Sequence, residues 1–484
     1  MFTPTDHTNL VLNADCYKHA HHALYPPGTE YISSYIESRG GGFSASVFFG
    51  LQAFLMEYLS KPVTLDNILD AEYISHQQNI PFNRQNWIDL LNDHGGYMPV
   101  EIEAVPEGTV VPTRNVLLQL VNTDPKYYWV PSYIETALLR GIWYPTTVAT
   151  LSWNIKQVIR QALERSSDHP ELLRVSLHDY GARGVSSMES AGLGGMAHLV
   201  NFDQSDTVPG LLAAKRYYNS ASTPGGSGPF HEHAGICAWG REREADAMRH
   251  LFEVYGSRGL VGLLSDTFDH DNHMRQIIGV ELKEQIQGFE GLVVCRVDSG
   301  DPVQIVADTA EILLEQFGGE TNSKGFRILP PNIRVVQGDG LTIVEIKGIY
   351  AELERRGMAS DNVLFGMGGG LLQHVNRDTM NFGQKANAAC IEGKWVDLQK
   401  TPTGSRMKRS KAGRLALVRV DGEYRTVRRE EVKPEQNLLR PVFRDGKLLE
   451  TADFAEVIAR SEESVPDWYY AEASDPDAEP VASA

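Results

Sequence analysis

Between Val175 and Gly370 the chain repeats one local pattern: a short apolar run stops in a polar or glycine-rich turn, and a helical segment follows. Val175-Ser176-Leu177 runs into His178-Asp179-Tyr180-Gly181-Ala182-Arg183-Gly184, and Leu260-Val261-Gly262-Leu263-Leu264 into Ser265-Asp266-Thr267-Phe268-Asp269. Leu292-Val293-Val294-Cys295 runs into Arg296-Val297-Asp298-Ser299-Gly300-Asp301-Pro302. Arg334-Val335-Val336-Gln337 ends in Gly338-Asp339-Gly340, and Val363-Leu364-Phe365 in Gly366-Met367-Gly368-Gly369-Gly370. Continuous apolar runs of this length suit parallel strands buried on both faces, which must be joined by helical crossovers. The pattern predicts a parallel α/β barrel-like core, whose chemistry gathers at the strand C-termini. An open doubly wound sheet is the alternative. The barrel is favoured because charged groups are spread over several turns, whereas an open sheet concentrates them at one switch point.

The flanking regions read differently. Residues 1–150 mix strand-like pieces, Tyr31 to Ile36 and Val100 to Val105, whose alternation suits half-exposed strands. A buried helix is expected over Trp129 to Leu139. A clearer one is expected over Leu151 to Arg165, where Ile155, Ile159 and Leu163 share a face. Leu415 to Val427, around Asp421-Gly422, reads as a hairpin. The predicted organisation is a mixed α+β domain from 1–150 and 384–473, a barrel-like core over 151–383, and an acidic tail over 474–484 expected to be disordered.

Composition narrows the function. The 42% hydrophobic and 22% charged residues are those of a soluble globular protein. A net charge of −18 argues against general adhesion to nucleic acid or to an anionic membrane. Cys16, Cys237, Cys295 and Cys390 are far apart with no C-x-x-C spacing, which suits a reducing compartment and no zinc site. No transmembrane run and no leader pattern is evident, so a cytoplasmic location is expected.

The turns collect Asp179, Arg183, Asp206, His233, Arg296, Asp298, Asp339 and Arg377, a mixture suited to a ligand with both hydroxyls and phosphates. The glycines before the last helix allow close approach by a phosphate. Rival motifs fail. No Walker P-loop, G-x-S-x-G elbow or dinucleotide fingerprint is present, and Gly235 stands two residues beyond His233 where H-E-x-x-H would continue. Asp269 to His273 reads as a solvated helix start.

From about Ala14 to Val442 the chain resembles the nicotinamide phosphoribosyltransferases, the type II phosphoribosyltransferases of NAD salvage. The matching residues are Asp15-Cys16-Tyr17-Lys18, Tyr25-Pro26-Pro27, Ala104-Val105-Pro106-Glu107-Gly108 and Trp143-Tyr144-Pro145. They continue through Gly184-Val185-Ser186-Ser187, Asp206-Thr207-Val208, Asp298-Ser299-Gly300, Gln337-Gly338-Asp339-Gly340 and Gly368-Gly369-Gly370-Leu371-Leu372-Gln373. The Asp-Asp dipeptide with which type I enzymes hold the ribose is absent.

The resemblance implies transfer of a phosphoribosyl group from phosphoribosyl pyrophosphate to nicotinamide, giving nicotinamide mononucleotide and pyrophosphate. It further implies Mg²⁺ held mainly by the pyrophosphate, optional coupling to ATP through a phosphohistidine, and a homodimer with shared active sites. Tyr180 would stack on the pyridine ring, Tyr17 of the partner subunit would cover its other face, and Asp206 would accept from the carboxamide. Arg183, Arg296 and His233 would meet the pyrophosphate, with His233 also the phosphate acceptor from ATP. Asp298, Gly338 and Asp339 would meet the ribose, and Gly368 and Gly369 the 5′-phosphate. Arg377, Lys385, Lys400, Lys408 and Arg39 would add anion contacts. A nicotinate-specific enzyme and a catalytically silent NAD-metabolite sensor are the alternatives. Ala182, Met367 and Ala234-Gly235 depart from relatives that carry Tyr, Ser and hydroxyl residues there, and Tyr180 replaces Phe. The loss of hydroxyls after His233 bears on ATP coupling. The short segment Arg39 to Val47 points to a bacterial or phage-type enzyme.

Overall fold

A computed structural model describes residues 9–220, 225–400 and 410–463. The predicted tail over 474–484 and the candidate Lys408 lie outside the described residues. The chain forms two compact units: Met1–Thr150, Ala214–Ala221 and Asn376–Ala484 in one, and Leu151–Ala213 with Ser222–Val375 in the other. The second boundary thus falls at 375, ahead of the expected 383, because strand Phe382–Ile391 pairs along its length with Thr29–Ser38.

In the barrel unit the five predicted runs, joined by an unpredicted two-residue strand, become six parallel strands: β1 (Leu177–Asp179), the unpredicted β2 (Gln204–Ser205), β3 (Leu260–Leu264), β4 (Leu292–Val297), β5 (Ile333–Gln337) and β6 (Val363–Met367). Their order is β2-β1-β6-β5-β4-β3, so the last strand in sequence returns to pair with the first. The two edges are then linked by one stretch. Gly226 bridges Gln204 of β2, and Phe230 bridges Gly262 of β3, both in parallel sense. An open doubly wound sheet would leave these edges far apart. Curling arises from strand twist, and the bridging stretch covers edges that would otherwise be exposed.

Crossover helices follow the strands, as their caps require. Asp301 accepts from the amides of Val303 and Gln304 at 3.1 and 3.0 Å, and Pro302 occupies a first-turn position where no amide is needed. Thr342 and Glu345 form a capping box ahead of helix Ile343–Arg355. Gly195 and Gly210 let helices Met188–Leu199 and Val208–Tyr218 touch through their backbones, since a Cβ on Gly195 would stand 2.9 Å from the Gly210 Cα.

The other unit is built on a seven-stranded antiparallel sheet. The expected half-exposure of Tyr31 to Ile36 is not found, because Ile32 to Ser38 are all buried. The predicted hairpin, Leu415–Val420 with Glu423–Arg428, hydrogen-bonds onto strand Val116–Asn122 of the sheet, where Gln119 is buried. Gln119 Oε1 accepts from the Leu415 amide at 2.8 Å, and Thr426 Oγ1 from the Val116 amide at 2.9 Å. Asp421 and Gly422 both take the left-handed conformation that such a two-residue turn needs. Two expected helices are also redrawn. Only Val130–Tyr133 forms a separate turn, and Glu135–Ser166 is one 32-residue helix that carries Pro145 inside it. Ile155, Ile159 and Leu163 are buried on it as anticipated.

Candidate active site

The barrel turns bring six side chains into a network. His178 and Tyr180 stand two residues apart along β1 and its turn, so they project to one side, with ring centroids 4.8 Å apart. Asp179 projects to the other and is fully buried. Its carboxylate accepts from the Gly181 amide at 2.7 Å and from Ser205 Oγ at 3.3 Å, and burial pushes its carboxyl up from the ordinary range. Asp179 therefore ties the turn together and joins β1 to β2; it is not a ligand-facing acid, as its grouping with the other turn residues implied.

Asp206, one residue past β2, is half-exposed. Its amide donates to the Asp179 carbonyl at 2.9 Å. Its Oδ1 lies 3.1 Å from His178 Nε2 and also accepts from Ser227 Oγ. Burial alone would raise the Asp206 carboxyl. The His178 contact, the Ser227 hydroxyl and the charge of Arg296 outweigh it and hold the carboxyl below its usual value. Asp206 thus stays a carboxylate. Its side chain does not cap the helix that begins at Val208, the simpler role its position allowed.

Arg296 and Asp298 are likewise two residues apart at the end of β4, so they share a side. The guanidinium forks the carboxylate, with Nε to Oδ1 at 2.9 Å and Nη2 to Oδ2 at 2.7 Å. The same guanidinium sits 5.5 Å from the Tyr180 ring centroid. The ring also packs against backbone. A Cβ on Gly366 would overlap it, and one on Gly338 would stand 3.0 Å from its edge. Gly366 is therefore glycine to admit Tyr180. Gly370 admits the Leu341 carbonyl, 2.5 Å from where its Cβ would be, while Gly368 and Gly369 have no neighbour closer than 3.7 Å to theirs. Those two are the glycines with room for an incoming ligand. Arg183 and Asp339 are exposed in the same unit.

His233 opens the helix His233–Trp239, half-exposed, with Nε2 3.3 Å from Asp266 Oδ1. Asp266 is nearly buried and takes a second hydrogen bond from Ser299 Oγ on its other oxygen. Ala234 and Gly235 add no donor, and the space beside Gly235 is open.

Tyr17, Arg39, Arg377, Lys385 and Lys400 lie in the sheet unit. Tyr17 is exposed and lines a cavity of about 300 Å³ together with Asp15, Trp143 and Arg377. Lys385 donates to the Gln384 carbonyl at 2.6 Å. Burial, joined by the charges of Arg39, Lys400 and Arg377, pulls its pKa below the usual lysine value despite the opposing effect of Glu135. Arg39, Lys400 and Arg377 thus each place like charge on Lys385.

His178, Ser227, Asp266 and Ser299 were not among the candidates. Asp266 carries a readable signal, since it follows β3 as Asp206 follows β2 and Asp298 follows β4. Ser227 carries none, because its partner lies 21 residues away across an irregular stretch.

Residues 175–447 match the nicotinate phosphoribosyltransferase (NAPRTase) family, and residues 9–102 match the nicotinamide phosphoribosyltransferase N-terminal domain. A nicotinamide phosphoribosyltransferase of Xanthomonas campestris pv. campestris is 45% identical over 462 residues, covering 94% of this chain and 98% of its own. One from Acinetobacter baylyi is 32% identical, covering 93% and 96%. Among solved structures, the nicotinate-nucleotide pyrophosphorylase of Pyrococcus furiosus superposes with a TM-score of 0.61 at 17% identity, covering 96% of this chain and 97% of its own, a likeness of fold.

Proposed function

The chain belongs to the nicotinate phosphoribosyltransferase family, and on that premise we propose that it transfers the phosphoribosyl group of phosphoribosyl pyrophosphate to nicotinamide in NAD salvage. The products are nicotinamide mononucleotide and pyrophosphate. The observation that carries this choice of base is Asp206, an ionised carboxylate whose Oδ1 is already bonded and whose Oδ2 accepts nothing among the described residues. A carboxamide NH₂ can donate to that oxygen. Nicotinate would set carboxylate against carboxylate, and such like-charge juxtaposition costs several kcal/mol.

In the transfer step the bond from the ribose anomeric carbon to pyrophosphate breaks while the pyridine nitrogen bonds to that carbon. The sugar passes through an oxocarbenium-like state, so catalysis rests on positioning and on charge placed in advance. Asp298 stabilises the cationic sugar, and Arg296 with Arg183 meets the leaving pyrophosphate. Arg296 now neutralises Asp298 and covers Tyr180. A pyrophosphate that draws the guanidinium away uncovers both at once, freeing the ring face for the base. Stacking there adds about 0.5–1.5 kcal/mol beyond the buried area. Gly338 and Asp339 serve the ribose, and Gly368 and Gly369 the 5′-phosphate.

Mg²⁺ supplies positive charge to the diphosphate. No three His, Cys, Asp or Glu side chains converge among the described residues, so diphosphate oxygens would be its main ligands. ATP coupling is part of the same reading: Asp266 accepting from His233 Nε2–H leaves Nδ1 as the nitrogen that takes the γ-phosphoryl group as ADP departs. Tyr17, Arg39, Arg377, Lys385 and Lys400 complete the site from the partner subunit of a homodimer. A cytoplasmic setting is supported by four free cysteines. No helix among the described residues is long and apolar enough to cross a membrane.

The test is incubation of the purified chain with Mg²⁺, phosphoribosyl pyrophosphate and either base, reading mononucleotide by chromatography and pyrophosphate release. Product from nicotinamide supports the reading. Product from nicotinate alone overturns it, as does binding of nicotinamide mononucleotide with no pyrophosphate released from either base.

A further inference from the structure

Asp206 is a half-exposed carboxylate at the end of a two-residue strand, and nothing in its own strand fixes its rotamer. Two groups from elsewhere in the barrel do so. His178, on the neighbouring β1 and only 12% exposed, brings Nε2 to 3.1 Å from Oδ1. Ser227, on the stretch that bridges the two sheet edges, donates to the same Oδ1. Both hydrogen bonds fall on one oxygen, and the other is left without a protein partner among the described residues. A carboxylate free to turn would present either oxygen, or its protonated form, to an incoming ring substituent.

His178 is itself held. Its Cα partner in the sheet is Gly366, the residue whose missing Cβ admits the Tyr180 ring, and its imidazole lies against that ring. The placement of the ring that would receive the base and the placement of the carboxylate that would receive its substituent thus share one side chain. From this geometry we infer that His178, assisted by Ser227, is a specificity-determining positioning residue: it pins Asp206 through Oδ1 and reserves Oδ2 for a carboxamide.

This rests on the proposed base recognition at Asp206. In the sequence the two residues lie 28 positions apart, and neither hydrogen bond requires substrate to be present.

The experiment measures kcat and KM for nicotinamide and for nicotinate in the wild type and in His178→Ala, His178→Gln and Ser227→Ala. Wild type is expected to favour nicotinamide. His178→Ala should raise the nicotinamide KM by about tenfold or more, the scale of one hydrogen bond to a charged group, with kcat changed far less. The ratio of kcat/KM for the two bases should narrow by a similar factor. His178→Gln, which can place an amide nitrogen near the same position, should restore most of the ratio. Ser227→Ala should narrow it by a few-fold. A wild type that used nicotinate alone would defeat the reading of Asp206 itself. A nicotinamide-specific wild type whose ratio stays within about twofold in both His178→Ala and Ser227→Ala would overturn the inference alone. If His178→Ala fails to fold, His178→Gln and Ser227→Ala decide it: an unchanged ratio in Ser227→Ala then counts against.

Discussion

The barrel turns and the cations around Lys385 in the sheet unit handle charge in opposite ways. At the barrel turns three complementary pairs meet: His178 with Asp206, Arg296 with Asp298, His233 with Asp266. In the sheet unit Arg39, Arg377 and Lys400 all bear on Lys385 and make its ammonium harder to keep. The anionic neighbours there, Glu37 for Arg39 at 3.5 Å and Asp378 for Arg377 at 2.8 Å, do not relieve Lys385. Paired charges are prearranged at low cost and can be redistributed when a ligand arrives. Gathered like charges cost free energy until an anion neutralises them. The first arrangement suits an uncharged base and a sugar that becomes cationic; the second suits phosphate.

The sharpest test of this contrast is Asp298→Ala, which removes the barrel's compensating charge. Initial rates of mononucleotide formation should fall by about 10²–10³, the usual scale for loss of one preorganised electrostatic contact. Unchanged turnover would move the chemistry elsewhere. Next, His233→Ala should abolish ADP release from ATP while mononucleotide formation without ATP stays within about tenfold. ATP hydrolysis persisting in that variant would remove His233 from the phosphate-accepting role. A smaller effect is expected from Lys385→Ala. The KM for phosphoribosyl pyrophosphate should rise by about tenfold, consistent with loss of one charge-assisted contact, and its salt dependence should flatten. An unaltered KM and salt profile would mean that Lys385 serves no substrate phosphate.

The smallest effect concerns pH and stability. His198 is fully buried between Ser152 Oγ at 3.1 Å and the Gln204 carbonyl at 3.1 Å, and burial pulls its pKa down to about 3. The unfolded chain takes up that proton near pH 6.5 and the folded chain does not. The stability it supports is complete above pH 6.5 and falls as the pH drops toward 3, by up to about 1.4 kcal/mol per unit. Denaturant titrations at pH 7 and pH 5 should show a smaller decline for His198→Gln than for wild type. Equal declines would mean that His198 already carries its proton when folded.

Much of the barrel was legible because buried parallel strands leave an unambiguous trace: apolar runs with no alternation, each ended by turn residues. Local signals misled where they depend on what covers an element. Tyr31 to Ile36 alternates like a half-exposed strand, yet Ile32 to Ile36 are all buried in a strand that has a neighbour on each side. Two helices were expected, over Trp129 to Leu139 and Leu151 to Arg165, and the chain instead runs as one from Glu135 to Ser166, through Pro145. Gly366 looked like part of a phosphate turn, but a missing Cβ makes room for any neighbour, and here the neighbour is Tyr180.

The amino-acid sequence by itself determined the family, the barrel units, and nearly all the residues that bear charge at the strand ends, because those depend on residue type and on short spacings. It could not say which oxygen of Asp206 is occupied, that Arg296 closes over Asp298 and Tyr180, or that Asp179 is structural while Asp206 is not. Those outcomes depend on which strands become neighbours. β1 meets β6 from 188 positions away, at Leu177 and Asp179 against Phe365 and Met367, and β2 meets the bridging stretch at Gly226. Pairing at such separations is set by closure of the whole sheet, and only the tertiary structure decides it.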